Sequence, residues 1–258
     1  MRPLPPSSIG LLRWFTRYTR WYLRRNFHAV RLAGEPPPAV PADTPLVVYA
    51  NHPSWWDPLL CLLTRDVFFP RRRSFAPIEA AMLERYRFFA KLGFFGVEPN
   101  TARGAVRFLQ TGQAILEQPD TALWLTPEGR FRDVRERPLQ FKAGLGHLAT
   151  RVPQAVFLPL AIELVFWDER TPEALLRFGP PVTWPPGTGL DPEANTTRLA
   201  AELAVTMDQL ADAAHARNPA AFRMLLRGGA GVGGVYDGWR RIRSWLRGEP
   251  FQPEHGRS

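Results

Sequence analysis

Two side chains that can move a proton follow a short apolar segment early in the chain. Leu46–Ala50 has the composition of a buried strand, and His52 and Asp57 come soon after it. Imidazole exchanges a proton near neutral pH, and a neighbouring carboxylate fixes its tautomer and stabilises its charged form. The pattern predicts a general base at the carboxyl edge of a sheet, where open α/β folds bind ligands. A simpler interpretation, compatible with the first, is that Asp57 caps a helix whose first residue is Pro58.

A second polar loop follows another predicted strand, Leu123–Leu125. This loop contains Glu128, Gly129, Arg130 and Arg132. Glycine permits backbone geometry that a side chain would block, and the forked arginine donors suit a phosphate or a carboxylate. The alternative interpretation is a solvated, charged connection between two elements.

Together the two loops resemble the lysophospholipid acyltransferase family, which includes the glycerol-3-phosphate and 1-acylglycerol-3-phosphate acyltransferases. His52 and Asp57 are similar to the family's motif of histidine, four spacers and aspartate. Pro127-Glu128-Gly129 is similar to its proline-glutamate-glycine block, which comes later in the chain. The resemblance covers about residues 44–165 and implies a mixed α/β fold of the glycerolipid acyltransferase kind.

Two stretches depart from the family's pattern. Arg130, Phe131 and Arg132 stand where the family has a small hydroxyl residue and then an arginine. After the strand Gly93–Val97, where the family carries another arginine, the nearest arginine is Arg103. Both departures fall on the expected acceptor site, so the acceptor stays open among lysophosphatidic acid, another lysolipid, an aminolipid and a glycosylated isoprenoid.

The resemblance implies transfer of a fatty acyl group from acyl-CoA or acyl carrier protein to a hydroxyl of a lysophospholipid-like acceptor. His52 is then the general base and Asp57 orients it. No metal or bound cofactor is expected, because the thioester is a substrate. The residues expected to bind substrate are Asn51, Arg103, Glu128, Gly129, Arg130, Arg132 and Lys142. Two alternatives remain. The first is a non-catalytic peripheral membrane-binding protein built on an acyltransferase-like domain. The second is an enzyme in which His52 and Asp57 act together with a metal ion.

Composition restricts the class of protein further. The 258 residues carry a net charge of +9, supplied almost wholly by arginine, which favours acidic partners such as anionic lipid or nucleic acid. No nucleic-acid-binding motif accompanies the charge, so an anionic membrane surface is the expected partner. Cys61 is the sole cysteine, which excludes a disulfide within the chain and favours a reducing compartment. The sequence contains no segment of about 20 consecutive apolar residues, the length that would predict a membrane-spanning helix.

Basic amphipathic patterns mark both ends of the sequence. We expect a basic amphipathic helix in residues 1–33, an acyltransferase α/β domain in residues 34–218 and a helical basic tail in residues 219–258. Aromatic and basic residues interleave from Ile9 to Phe27, as in helices that lie in a membrane interface. The alternative is a helix packed on the domain. The predicted location is peripheral, at the cytoplasmic face of a membrane.

Overall fold

The computed structural model describes residues 4–185, 187–188 and 191–229, which form one eight-stranded sheet with helices on both faces. The strands are β1 Ala29–Ala33, β2 Leu46–Ala50, β3 Arg73–Glu79, β4 Phe94–Val97, β5 Thr121–Leu125, β6 Val156–Val165, β7 Glu173–Phe178 and β8 Phe222–Arg227. The helices are α1 Ile9–Asn26, α2 Asp57–Phe68, α3 Ala80–Arg85, α4 Ala102–Leu116, α5 Gly144–Arg151 and α6 Pro192–His215, with 3-10 helices at Arg87–Lys91 and Pro219–Ala221.

Parallel pairing brings the two predicted polar loops to one edge of the sheet. The strand order is β4-β3-β5-β2-β6-β7-β1-β8, and the first five strands run parallel. Strand β7 pairs antiparallel with β6, β1 parallel with β7, and β8 antiparallel with β1. Because β2 and β5 are parallel neighbours, their carboxyl ends meet, and the loops that follow them leave the sheet side by side.

The sheet is buried on both faces. In β2, Val47 and Tyr49 belong to the core layer that also contains residues of α5 and α6. Val48 and Ala50 point to the opposite layer, which contains residues of α1 and α2. Every residue of β2 is therefore buried, which explains why the strand is a continuous apolar run without alternation.

Helix α1 packs on the domain and still presents an exposed face. Leu23 and Phe27 are buried, and Arg20 forms an ion pair with Asp66 of α2 at 2.7 Å. Helix α1 lies inside the segment for which an amphipathic helix was predicted, and its packed side is part of the core. No helix in the described ranges combines the length and the apolar character needed to cross a bilayer.

The sheet extends past both predicted domain boundaries. Strand β1 precedes residue 34 and β8 follows residue 218, yet both pair inside the sheet. A buried ion pair helps to hold this side together, because Arg31 Nε donates to Glu173 Oε2 at 2.8 Å. Of the predicted helical basic tail, residues 230–258 lie outside the described residues.

The cap assigned to Asp57 is wrong. Helix α2 begins at Asp57 itself, after Trp56, and no side chain caps its first turn. The Asp57 carboxylate accepts hydrogen bonds from the preceding loop instead, from both the backbone and the hydroxyl of Ser54. In contrast, Asp191 does cap a helix, since its side chain accepts from the backbone N–H of Glu193 at the start of α6.

Candidate active site

His52 and Asp57 are in direct contact at the carboxyl edge of β2. His52 Nδ1 lies 2.7 Å from Asp57 Oδ2. The Asp57 side chain is 1% exposed, whereas the His52 side chain is 19% exposed and can be reached from solvent. Ser54 N donates to Asp57 Oδ2 at 2.9 Å, and Ser54 Oγ donates to Oδ1 at 2.7 Å. The carboxylate is therefore fixed from two directions while the imidazole keeps an accessible edge.

This contact determines the histidine tautomer. An ionised carboxylate can only accept, so the shared proton belongs to Nδ1 and Nε2 carries a lone pair. Within the described part of the chain, no hydrogen bond reaches Nε2 of His52. The arrangement presents a base to solvent and holds its opposite side against a buried anion.

Asn51 has a different place from the one predicted for it. Its Nδ2 donates to the Ile162 carbonyl and its Oδ1 accepts from the Ile162 backbone N–H, both at 2.8 Å. The side chain is buried, and these two bonds tie the loop after β2 to the neighbouring strand β6. Asn51 thus fixes the start of the His52 loop, and its contacts give no support to substrate binding.

Glu128 and Arg132 give the second loop its internal structure. Buried Glu128 accepts from Arg132 Nη1 at 2.8 Å and from the backbone N–H of Gln140 at 2.9 Å. Arg132 also donates to Glu136, which raises the pKa of the guanidinium, with a further contribution from Glu128. The Arg132 backbone N–H donates to the His52 carbonyl at 3.0 Å. This hydrogen bond connects the second polar loop to the loop that carries His52.

Arg130 and Lys142 border Gly129 and have uncharged partners. Gly129 has φ +63°, and a Cβ there would lie 2.8 Å from Cε of Lys142. Lys142 Nζ donates to the amide oxygen of Asn100 at 3.1 Å, and Arg130 Nη2 donates to the amide oxygen of Gln140 at 2.9 Å. Neither of these hydrogen bonds involves a carboxylate, whereas Arg132 donates to both Glu128 and Glu136.

Arg103 lies on the first turn of α4 with its side chain 83% exposed. Its guanidinium lies 3.8 Å from the Glu98 carboxylate, and it forms no other ion pair within the described residues. The structure therefore places the Lys142 side chain against Gly129, which Arg130 follows directly in the chain, whereas Arg103 lies on α4 and is paired with Glu98.

Two residues beside His52 were not predicted as parts of the site. Ser54 positions Asp57, and only the local spacing within the motif could have indicated that. Phe131 places its ring centroid 4.4 Å from the His52 ring centroid and stays exposed. No sequence signal pairs Phe131 with His52, because their contact depends on the adjacent exits of β5 and β2.

The described residues contain no group of three or more His, Cys, Asp or Glu side chains arranged to hold a metal ion.

Comparisons with known proteins bear on the family and the fold. Residues 34–163 match the family model described as Acyltransferase. No protein of curated function matches the sequence significantly. Among solved structures, the chain is similar to the 1-acyl-sn-glycerophosphate (LPA) acyltransferase PlsC from Thermotoga maritima, with a TM-score of 0.50 and 18% identity over 79% of this chain and 78% of that chain.

The structural likeness, at this identity, establishes a shared fold and confirms the predicted class, a mixed central sheet flanked by helices. The family model spans half of the 258 residues and includes both polar loops. The resemblance first indicated by His52, Asp57 and the Pro127-Glu128-Gly129 block is thereby confirmed, and the protein belongs to the acyltransferase family.

Proposed function

We propose that this acyltransferase moves a fatty acyl group from a thioester to a hydroxyl of a lysophospholipid-like acceptor. The observation that carries the proposal is the 2.7 Å contact between His52 Nδ1 and Asp57, with Nε2 on the accessible side. An alcohol is a poor nucleophile at neutral pH, and a positioned general base contributes about 10²–10⁴-fold to such a reaction. His52 is the residue that this geometry suits to that role.

In the proposed step, Nε2 of His52 takes the proton from the acceptor hydroxyl as its oxygen attacks the thioester carbonyl carbon. The resulting imidazolium is stabilised by Asp57, to which Nδ1–H still donates. Collapse of the tetrahedral intermediate breaks the carbon–sulfur bond, and the departing thiolate receives the proton that His52 held. The products are an ester and a free thiol, so no covalent acyl-enzyme is needed.

An anionic head group on the acceptor fits the cations around Gly129. Lys142 and Arg130 donate to neutral amide oxygens, which a phosphate can replace with a stronger, charge-assisted bond. Arg132 is less suited, because Glu128 and Glu136 already neutralise it. Lysophosphatidic acid is the first acceptor to test, since the similar solved protein is described as an LPA acyltransferase.

The proposed donor is acyl-CoA or acyl carrier protein, and the proposed place is the cytoplasmic face of a membrane. Both donors are water-soluble thioesters, whereas a lysolipid with a long chain resides in a bilayer. The two substrates therefore meet at the membrane surface. The exposed arginines of α1 are suited to anionic lipid, which attracts each basic residue near the surface by about 1 kcal/mol.

The test is an assay of the purified protein with labelled acyl-CoA or acyl carrier protein and a panel of lysolipids, with chromatography of the products and measurement of released thiol. We expect one lysolipid class to be acylated and the His52→Ala variant to lose at least about 10²-fold in rate. Full activity in that variant, or vesicle binding by the wild type without thiol release, would favour a non-catalytic membrane-binding protein. Loss of activity with a chelator would favour the metal-dependent alternative.

A further inference from the structure

A cavity of about 210 Å³ lies between the second polar loop, the end of β6 and helix α6. Its apolar walls come from all three elements and include Val134, Ala161 and Met207. Glu163, near the carboxyl end of β6, also lines it. Small-ligand pockets are typically apolar with a few polar groups, and those polar groups determine which ligand fits.

The cavity adjoins the loop that carries His52. Ile162, which lines the cavity, holds the side chain of Asn51 through two hydrogen bonds of 2.8 Å. On the side of the second polar loop, the Arg132 backbone N–H donates to the His52 carbonyl at 3.0 Å, and the cavity residue Val134 follows two positions later. A molecule in the cavity would therefore lie next to the proposed general base.

Four charged side chains line the cavity, and three of them are paired. Arg137 Nη2 donates to Asp208 Oδ1 at 2.6 Å, and Arg135 Nη2 donates to Asp133 Oδ2 at 2.7 Å. The fourth is Glu163. Among the residues that the structure describes, none forms a hydrogen bond or an ion pair with its carboxylate. The unbalanced charge of the cavity is therefore negative.

Glu163 is half-buried, which makes its missing partner costly. Burial raises the pKa of the Glu163 carboxyl, and no neighbouring cation offsets this effect. A carboxylate that loses hydration without gaining a hydrogen bond is destabilised, so an unsatisfied group of this kind calls for a partner. A primary ammonium group supplies both a positive charge and three donors, whereas a phosphate or a carboxylate would be repelled.

We propose that this cavity binds the ammonium group of the acceptor, with Glu163 as its hydrogen-bond partner, so that the acceptor is an amine-bearing lysolipid. The inference rests on the proposed function and narrows its acceptor class. The bound ammonium has no lone pair and cannot attack the thioester. The acceptor hydroxyl attacks instead, its proton passes to His52, and the product is an ester rather than an amide.

The test compares two soluble short-chain acceptors of nearly equal size. One is lysophosphatidylethanolamine, and the other carries a hydroxyl in place of its amine. Titration calorimetry without any thioester measures their dissociation constants. We expect the wild type to bind the amine acceptor about tenfold or more tightly than its hydroxyl analogue, because a hydrogen bond between two charged groups replaces a weaker one.

Three variants locate that preference. Glu163→Gln is expected to bind both acceptors alike, with the affinity that the wild type has for the hydroxyl analogue, and Glu163→Asp is expected to keep part of the preference. The matched control is Glu117→Gln, which removes the same charge from an exposed position after α4, outside the cavity. It should keep the full preference. Urea unfolding followed by circular dichroism checks that each variant is folded.

Equal affinity of the wild type for the two acceptors, or no measurable binding of either, would overturn the inference. So would a Glu163→Gln variant that still prefers the amine. Acyl transfer to lysophosphatidic acid with the same KM as to the amine acceptor would sustain the proposed function and contradict the amine site. An amine preference in a protein that never releases thiol would count against the proposed function alone, so the two failures are distinguishable.

Discussion

At the scale of single residues, the carboxylate of Asp57 depends on its neighbours for its orientation. Ser54 contributes two hydrogen bonds to it, one to each oxygen, and His52 occupies the remaining direction of Oδ2. Rotation of the carboxylate would break all three contacts in a nearly inaccessible site. The orientation of the imidazole, and the side on which it keeps its lone pair, follow from this arrangement.

Replacement of Asp57 by asparagine tests that dependence. The amide group can donate to Nδ1 and so favours the tautomer with its proton on Nε2, which cannot accept the acceptor's proton. We expect the turnover rate, measured from thiol release, to fall by about 10²–10⁴-fold. The control is Asp212→Asn on the exposed side of α6, which is expected to keep the wild-type rate. Equal rates in the two variants would contradict the role assigned to Asp57.

Substitution of Lys142 by glutamine tests the cation site beside Gly129. Loss of a charge-assisted bond to phosphate, worth about 1.5–3 kcal/mol, should raise the KM for a phosphate-bearing acceptor by tenfold or more. The KM for a neutral monoacylglycerol should stay nearly constant, as should the turnover rate. A soluble short-chain acceptor avoids effects of membrane binding.

Lys91→Gln is the matched control for Lys142, because it changes the only other lysine of the chain. If both variants raise the KM equally, or if Lys142→Gln affects charged and neutral acceptors alike, the phosphate is held elsewhere.

At the scale of elements, the sequence predicted strands at the centre of the sheet but not β1 and β8, which lie at one end of it. Strand β2 was predicted from its apolar run, and β5 from the segment Leu123–Leu125. Strand β1 was not predicted, because residues 1–33 were assigned as a whole to a basic amphipathic helix, and Arg31 lies in the middle of the strand. Its charge is neutralised by Glu173, which lies 142 residues further along the chain.

The same limit applies to the site. The contact of His52 with Asp57 spans five residues, so spacing was enough to indicate it. The sequence could not indicate the structural place of Asn51, because its partner, Ile162, is 111 residues away and becomes a neighbour only through the pairing of β2 with β6. Local periodicity carries information about strands and caps, whereas side-chain contacts across the sheet depend on strand order.

The buried ion pair between β1 and β7 gives a stability prediction for this missed part of the sheet. Arg31→Met removes the guanidinium that pairs with the buried Glu173 carboxylate and leaves, among the described residues, only the His28 imidazole nearby, at 3.8 Å; the loss of such a partner typically costs about 3–5 kcal/mol. The double variant Arg31→Met with Glu173→Leu should recover much of that loss, because it leaves no unpaired charge. Urea unfolding followed by circular dichroism measures both free energies.

Arg135→Met serves as the comparison, since the pair of Arg135 with Asp133 is exposed and its loss should not measurably change the unfolding free energy. If the double variant is as unstable as Arg31→Met, then the packing of the Arg31 side chain, rather than its charge, stabilises β1.

At the scale of the whole molecule, α1 has a structural role in the core and a proposed role in membrane binding, and a deletion cannot separate the two. Removal of residues 1–30 would take away buried Leu23 and Phe27 together with the first residues of β1. Such a truncation would change folding and membrane binding at once. Substitution of exposed arginines leaves the packed side of α1 intact and therefore isolates the electrostatic part of membrane binding.

The double variant Arg13→Gln with Arg17→Gln removes two charges from the exposed side of α1. At about 1 kcal/mol for each basic residue, affinity for anionic vesicles should fall by roughly 30-fold at low ionic strength. The difference from the wild type should shrink in 1 M salt, where the Debye length falls to about 3 Å.

The matched control, Arg151→Gln with Arg170→Gln, makes the same change in net charge at exposed positions outside α1. A large loss in the first variant and a small one in the second would mean that the position of the charge on α1 directs the protein to the bilayer. Equal losses would mean that the net charge of +9 acts as a whole, and α1 would then contribute mainly through its aromatic side chains.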